Sequence, residues 1–177
     1  MAIVAEGTRG RVYLSPLDTM EALAREAKPE WKPEISMPDN PRWFSPPFYG
    51  FKTYGDLFTP RQLVALTTFS ELIQEAGKQV KHDGLAVDMP DEGKHLATNG
   101  VGILAYSDAV TVYLAFALSK LADRGSSICT WFTERDSTRN TFARQSLTMT
   151  WDFAELNTLL DGTGSFCGAV DWTAESS

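Results

Sequence analysis

Ser45-Pro46-Pro47-Phe48 is the stretch with the clearest chemical content. A polar side chain beside two prolines can turn its oxygen and a prolyl carbonyl toward one amino group. The aromatic ring that follows can stack on the heterocycle bearing that group. This constellation suits methyl transfer to the exocyclic amine of an extruded nucleobase. Such transfer needs more than four residues: the loop must leave a buried strand, and a glycine-rich turn after another strand must hold the methyl donor. Before Ser45 stands Met37-Pro38-Asp39-Asn40-Pro41-Arg42-Trp43-Phe44, whose prolines and Asp-Asn pair exclude an interior strand. Neither glycine stretch, Gly7-Thr8-Arg9-Gly10 or Gly100-Val101-Gly102, follows a convincing apolar strand. The residues therefore favour a structural loop, with Phe48 or Tyr49 packed beside the next helix. A catalytic role for Ser45, Pro46, Pro47 and Phe48 is the alternative.

Other reactive residues are sparse. His82, His95, Cys129 and Cys167 are the soft metal ligands, and no two of them stand close enough in sequence to nucleate a site. Cys129 lies in the apolar run "SSICTWF" and reads as a small buried hydrophobe. Two cysteines make no disulfide framework, which points to a reducing, cytoplasmic setting. The opening "MAIVAEGTRG" lacks a basic start followed by an apolar core, so no signal peptide is expected.

The net charge of −7 argues against a free-standing nucleic-acid binder. The charge is uneven, however. Lys120, Arg124, Arg135, Arg139 and Arg144 outnumber Asp123, Glu134 and Asp136 in one stretch, which allows a local basic face. Arg135, Arg139 and Arg144, with Trp43, are the residues to which any DNA contact would fall.

These side chains must be positioned by an α/β or mixed α+β chain of 177 residues, a length that suits one domain or a domain fragment. "AIVAEGTRGRVYL" predicts two strands around a glycine turn, and a short helix over 17–27 would be capped by Ser15 or Asp18. Residues 28–50 form a proline-rich strap whose Trp31, Trp43 and Phe44 should lie against apolar surface. Thr59, Pro60 and Gln62 spell a capping box with proline at the first helical position, which predicts a helix over 60–81. An exposed loop over 82–102 and a second helix over 106–123 follow. That helix is apolar on most sides and should be buried on most sides. Its polar interruptions speak against a membrane span. "SSICTWF" reads as an interior strand, "SLTMTWDFAELNTLL" as strand and then helix from Trp151, and "GSFCGAVDWTAESS" as strand and fraying end.

Longer phrases add a resemblance. "VAEGTRGRVYLSP", "NPRWFSPPFYGFKTYGDLFTPRQLVALTTFSELI", "YSDAVTVYLAFALSKLAD" and "NTFARQSLTMTWDFAELN" resemble an internal segment of the large prokaryotic adenine-specific DNA methylases. Full-length members carry an uncharacterised N-terminal domain and a zinc ribbon. The resemblance runs from Val4 to about Trp172. It implies a class I methyltransferase scaffold, S-adenosylmethionine as cofactor of the full-length proteins, DNA as partner and, for some members, a place in phage defence. The family's cofactor loop and zinc-ribbon cysteines precede the segment equivalent to Val4, and its Asp-Pro-Pro-Tyr motif follows that equivalent to Asn157. What is expected is thus a non-catalytic scaffold or target-recognition segment. It would pack with the remaining methylase segments or a defence-system partner, and would itself hold no metal or cofactor. The alternatives are an autonomous methyltransferase using the Ser45–Phe48 loop and a module that docks a separate catalytic subunit.

Overall fold

The computed structural model describes residues 3–8, 10–40, 44–135, 137–144, 146–160 and 164–176. Among these residues the chain is mixed α/β, with four helices and two small antiparallel sheets. Strands β1 (Ile3–Gly7) and β2 (Gly10–Leu14) pair around the glycine turn, as their sequence predicts. Helix α1 spans Asp18–Glu26, but Leu17 stands at its cap position and neither Ser15 nor Asp18 caps it. No α1 residue is buried, so the helix contributes little to the core.

Helix α2 (Pro60–Ala86) opens as its sequence demands. The Thr59 hydroxyl accepts the Gln62 N–H, and the Gln62 side chain accepts the Thr59 N–H at 2.8 Å. Thr59→Ala is expected to cost about 1 kcal/mol, because an orphan backbone donor loses its acceptor. A urea midpoint equal to the parent's would remove the capping box as a stabilising element. The helix runs past position 81 to Ala86, so residues 82–86 belong to it and not to the loop. Gly84 is there for packing, not for stopping: a Cβ on it would sit 2.1 Å from Ile103 Cδ1.

Helix α3 (Ile103–Arg124) starts three residues earlier than its pattern suggests, with Ile103 fully buried over Gly84, and it ends at Gly125. Between the two helices a short 3-10 turn, Leu96–Thr98, is the regular element. At the crossing the Ser107 hydroxyl donates to the Gly77 carbonyl at 2.7 Å. Among the described helices and strands, α2 and α4 (Phe166–Glu175) pack most on α3, and its apolar face is wider than two helices cover. Tyr106, Val112, Tyr113 and Phe116 are therefore exposed, against the expectation of burial on most sides. By length and composition alone α3 is also apolar enough to cross a membrane, despite its polar interruptions.

Helix α4 replaces the strand expected at the C-terminal end. The Ser165 hydroxyl accepts the Gly168 N–H, Phe166 stacks on Phe69 of α2 at 4.4 Å, and the Lys120 ammonium of α3 lies over the Trp172 ring. A serine cap and helical contacts outweigh the strand propensity of a short apolar run.

A second core joins the strap to the chain after α3. Met37, Phe44, Leu57, Ile128 and Leu147 are buried together. The strap pairs with the chain that follows it through a bridge between Ser36 and Thr53. Gly55 approaches it so closely that a Cβ would meet the Pro33 carbonyl at 2.5 Å. Phe44 is buried as expected, but Trp31 is exposed and Trp43 lies outside the described residues. Of "SSICTWF" only Trp131–Phe132 (β3) is a strand, paired with Ser137–Thr138 (β4). The described part of 146–160 forms neither strand nor helix. Single tertiary bonds hold it instead, from Met149 N–H to the Ser45 hydroxyl and from Ala154 N–H to the Cys129 carbonyl.

The accessible surface is 12495 Å². A compact monomer of this mass exposes about 8,600 Å² by the usual scaling. The excess lies in part in large apolar side chains, Trp151 and Trp172 among them.

Candidate anion-binding site

Beyond α3 the chain folds back on the end of that helix. The Thr141 hydroxyl lies 2.7 Å from the Asp123 carbonyl, 2.8 Å from the Ser126 hydroxyl and 3.1 Å from the Cys129 thiol. All three partnered side chains, Ser126, Cys129 and Thr141, are buried, so this knot is a polar core with its hydrogen bonds made. The Asp123 carboxylate accepts the Phe142 N–H at 2.8 Å and the Asn140 amide. Arg124 donates to the Thr138 carbonyl while the Thr138 hydroxyl donates to the Arg124 carbonyl. Arg139 N–H bonds the Thr130 carbonyl at 2.9 Å.

These ties shape a concavity of about 500 Å³. Arg124, Arg135, Arg139 and Arg144 line it, with the hydroxyls of Thr130, Ser137, Thr148 and Thr150. The guanidinium of Arg139 sits 4.4 Å from the Phe132 ring centroid and that of Arg135 sits 5.6 Å from it, so one ring orients two cations. Among the described residues no carboxylate lines the wall, and Arg135, Arg139 and Arg144 have no ion-pair partner. Asp123 is committed to Asn140 and Phe142, and Asp136 lies outside the described residues. The Thr150 hydroxyl oxygen is buried in this wall with no hydrogen-bond partner. Converging cations and an unsatisfied hydroxyl are what an anion with several oxygens would complete.

The three arginines singled out from sequence thus share one wall. Arg124, Phe132 and Thr150 were not among them. The alternation Thr148-Met149-Thr150, which sets Met149 on the core and both threonines in the wall, was the available signal.

The Ser45–Phe48 loop is held by bonds of its own. Pro46–Tyr49 is a 3-10 turn, and the carbonyls of Pro46 and Pro47 accept the N–H groups of Phe51 and Gly50. The Ser45 hydroxyl accepts the Met149 N–H at 3.0 Å. Phe48 and Tyr49 are about two-thirds exposed (66% and 67%), so neither packs beside α2. The anchor of this loop is Pro46, which is buried. Cys167 is exposed and Cys129 buried. His95 pairs with Asp108 at 2.9 Å, and the Leu96 N–H, then His95, hold that carboxyl below its usual range.

The glycine stretches do not fit S-adenosylmethionine. Gly7 and Gly10 close an antiparallel hairpin, not a strand-to-helix crossover. The space beside Gly100 and Gly102 is filled by the carbonyls of Lys94 and Pro90, 2.3 and 2.4 Å from where a Cβ would stand. No family model, curated protein or solved structure matches the chain.

Proposed function

We propose that this chain is a non-catalytic, target-recognition segment of an adenine-specific DNA methyltransferase and meets the DNA backbone through the arginine concavity. The observation that carries this reading is the convergence of Arg135, Arg139 and Arg144, without ion-pair partners among the described residues, on a wall of hydroxyls. Cations held together without counter-ions repel, and a polyanion relieves that repulsion. The resemblance of the sequence phrases to the methylases is what implies the context of DNA and of the larger class I scaffold. The large accessible surface and the uncovered face of α3 suit a segment that packs against further methylase parts or a defence partner. The Ser45 hydroxyl and prolyl carbonyls, already engaged within the turn and with Met149, support the non-catalytic half as the bonds of a structural loop. The methyl donor is bound by other parts of the enzyme.

Fluorescence anisotropy with DNA over a salt series tests this. The parent should bind at low salt and weaken as salt rises. The Arg135→Ala/Arg139→Ala/Arg144→Ala variant should lose about 2–3 units of the log–log salt slope, roughly one per phosphate contact. Equal binding by both, or none by the parent, overturns the DNA contact. Incorporation of labelled methyl into DNA by the chain alone, abolished by Phe48→Ala at unchanged stability, overturns the non-catalytic assignment.

A further inference from the structure

Resting on that reading, we propose that the concavity takes a phosphomonoester, the terminal phosphate of a DNA strand, in preference to the phosphodiesters within it. The basic residues that line it, Arg124, Arg135, Arg139 and Arg144, are all arginines, and no lysine stands among them. A guanidinium presents a planar fork of donors to two oxygens of one anion, where an ammonium acts as a point charge. These forks are also held. Arg124 donates to the Thr138 carbonyl at 3.1 Å, and Arg139 and Arg135 lie over the Phe132 ring. Attraction to a backbone passing over the surface needs charge alone. Oriented guanidinium groups lining one recess add direction to that charge.

The hydroxyls narrow the ligand further. Thr130, Ser137, Thr148 and Thr150 line the same recess, Ser137 is buried, and the Thr150 hydroxyl oxygen is buried with no hydrogen-bond partner. A neutral donor adds nothing to the long-range steering of a polyanion. It acts at hydrogen-bond distance, on an anion that enters the recess. A phosphodiester within a strand carries one charge and two free oxygens, and a sugar flanks it on either side, so entry requires the strand to bend inward. A terminal phosphate has a sugar on one side only, and near neutral pH it carries about 1.5 to 2 charges on three free oxygens. Its extra charge and extra oxygen match a wall that supplies several guanidinium groups and hydroxyl donors together. Among the described residues no carboxylate lines the recess to repel that second charge.

The test compares two duplexes of one sequence, with 5′-phosphate or with 5′-hydroxyl ends, by anisotropy of an internal label with the full chain at low salt. The parent should bind the phosphorylated duplex about tenfold or more tightly, as hydrogen bonds to a charged group support. Inorganic phosphate, added at constant ionic strength, should remove that preference. Thr150→Val keeps the side-chain shape and loses the hydroxyl, and should cut the ratio of the two affinities to about threefold or less. Arg139→Lys keeps the charge and loses the fork, and should lower the ratio as well. Arg139 is exposed, so this variant carries the test where the valine variant fails to fold. Equal affinity for the two duplexes overturns the terminal-phosphate assignment while leaving the arginine contact to DNA intact. A preference that inorganic phosphate does not remove, or that both variants retain, arises elsewhere on the chain and overturns it too. Equal affinity with both duplexes displaced by inorganic phosphate gives the recess to small phosphate ligands in place of a strand end. Absence of any DNA binding by the parent overturns both readings.

Discussion

Leu57→Ala is expected to lower the unfolding free energy by about 2–5 kcal/mol, the range for truncating a buried leucine. Leu57 has no solvent exposure and sits among Met37, Phe44, Ile128 and Leu147, contributed by the strap and by two segments beyond α3. Its carbonyl also accepts from Ser127, through the backbone N–H at 2.7 Å and the hydroxyl at 2.8 Å. The position therefore joins three parts of the chain that share no sheet or helix, and a cavity there has little regular structure around it to collapse. Chemical denaturation reads the loss directly. A change below about 0.5 kcal/mol would mean that the strap does not share a core with residues 128 and 147, and the support beneath the arginine wall would have to be sought elsewhere.

Asp56→Ala should cost about 2–3 kcal/mol near neutral pH, since hydrogen bonds to a charged acceptor are the stronger ones. One Asp56 carboxylate oxygen accepts the N–H groups of Lys52 and Thr53, each at 2.8 Å, and the other meets the Lys32 ammonium at 3.2 Å. The Thr53 N–H, then the Lys52 N–H and the Lys32 ammonium, hold the carboxyl down to about 2 against the opposing effect of partial burial. A carboxyl whose folded value lies below its unfolded one stabilises the fold fully above the unfolded value, near 4, and loses that contribution as pH falls through the folded value. The gap between parent and variant should therefore be full at pH 6, shrink from about pH 4 downward and be largely gone at pH 2. Urea midpoints at these three values measure it. A gap independent of pH would show that the ionised carboxylate is not what holds the turn.

Local chemistry sufficed wherever a few neighbouring residues settle the matter. Thr59, Pro60 and Gln62 start α2 because their bonds close within three positions, and Gly7 with Gly10 turns β1 into β2. The loop expected from position 82 and the strand expected in "GSFCGAVDWTAESS" gave way to helix for a related reason. Glycine is locally unfavourable inside a helix, but at Gly84 the space left by the missing side chain is occupied by Ile103 of α3. The helical character of Phe166–Glu175 emerges from its stack on Phe69 as much as from its cap. Phe48 looked buried because it is aromatic and follows two prolines, yet its neighbour Pro46 takes the buried place and leaves the ring in solvent.

The candidate site lay between these extremes. Sequence by itself determined that Arg135, Arg139 and Arg144 fall in a basic stretch, that Ser45-Pro46-Pro47-Phe48 lacks the strand a catalytic loop leaves, and where α2 begins. Tertiary structure alone decided that the arginines line one concavity with Thr150. The bonds responsible, Ser45 to Met149 across 104 residues and Thr141 to Asp123 across 18, join groups too far apart in the chain for any local pattern to announce them. Caps and turns are legible because their partners are neighbours; a wall built from the end of a helix, a two-residue ladder and an irregular segment exists only once the chain has closed on itself.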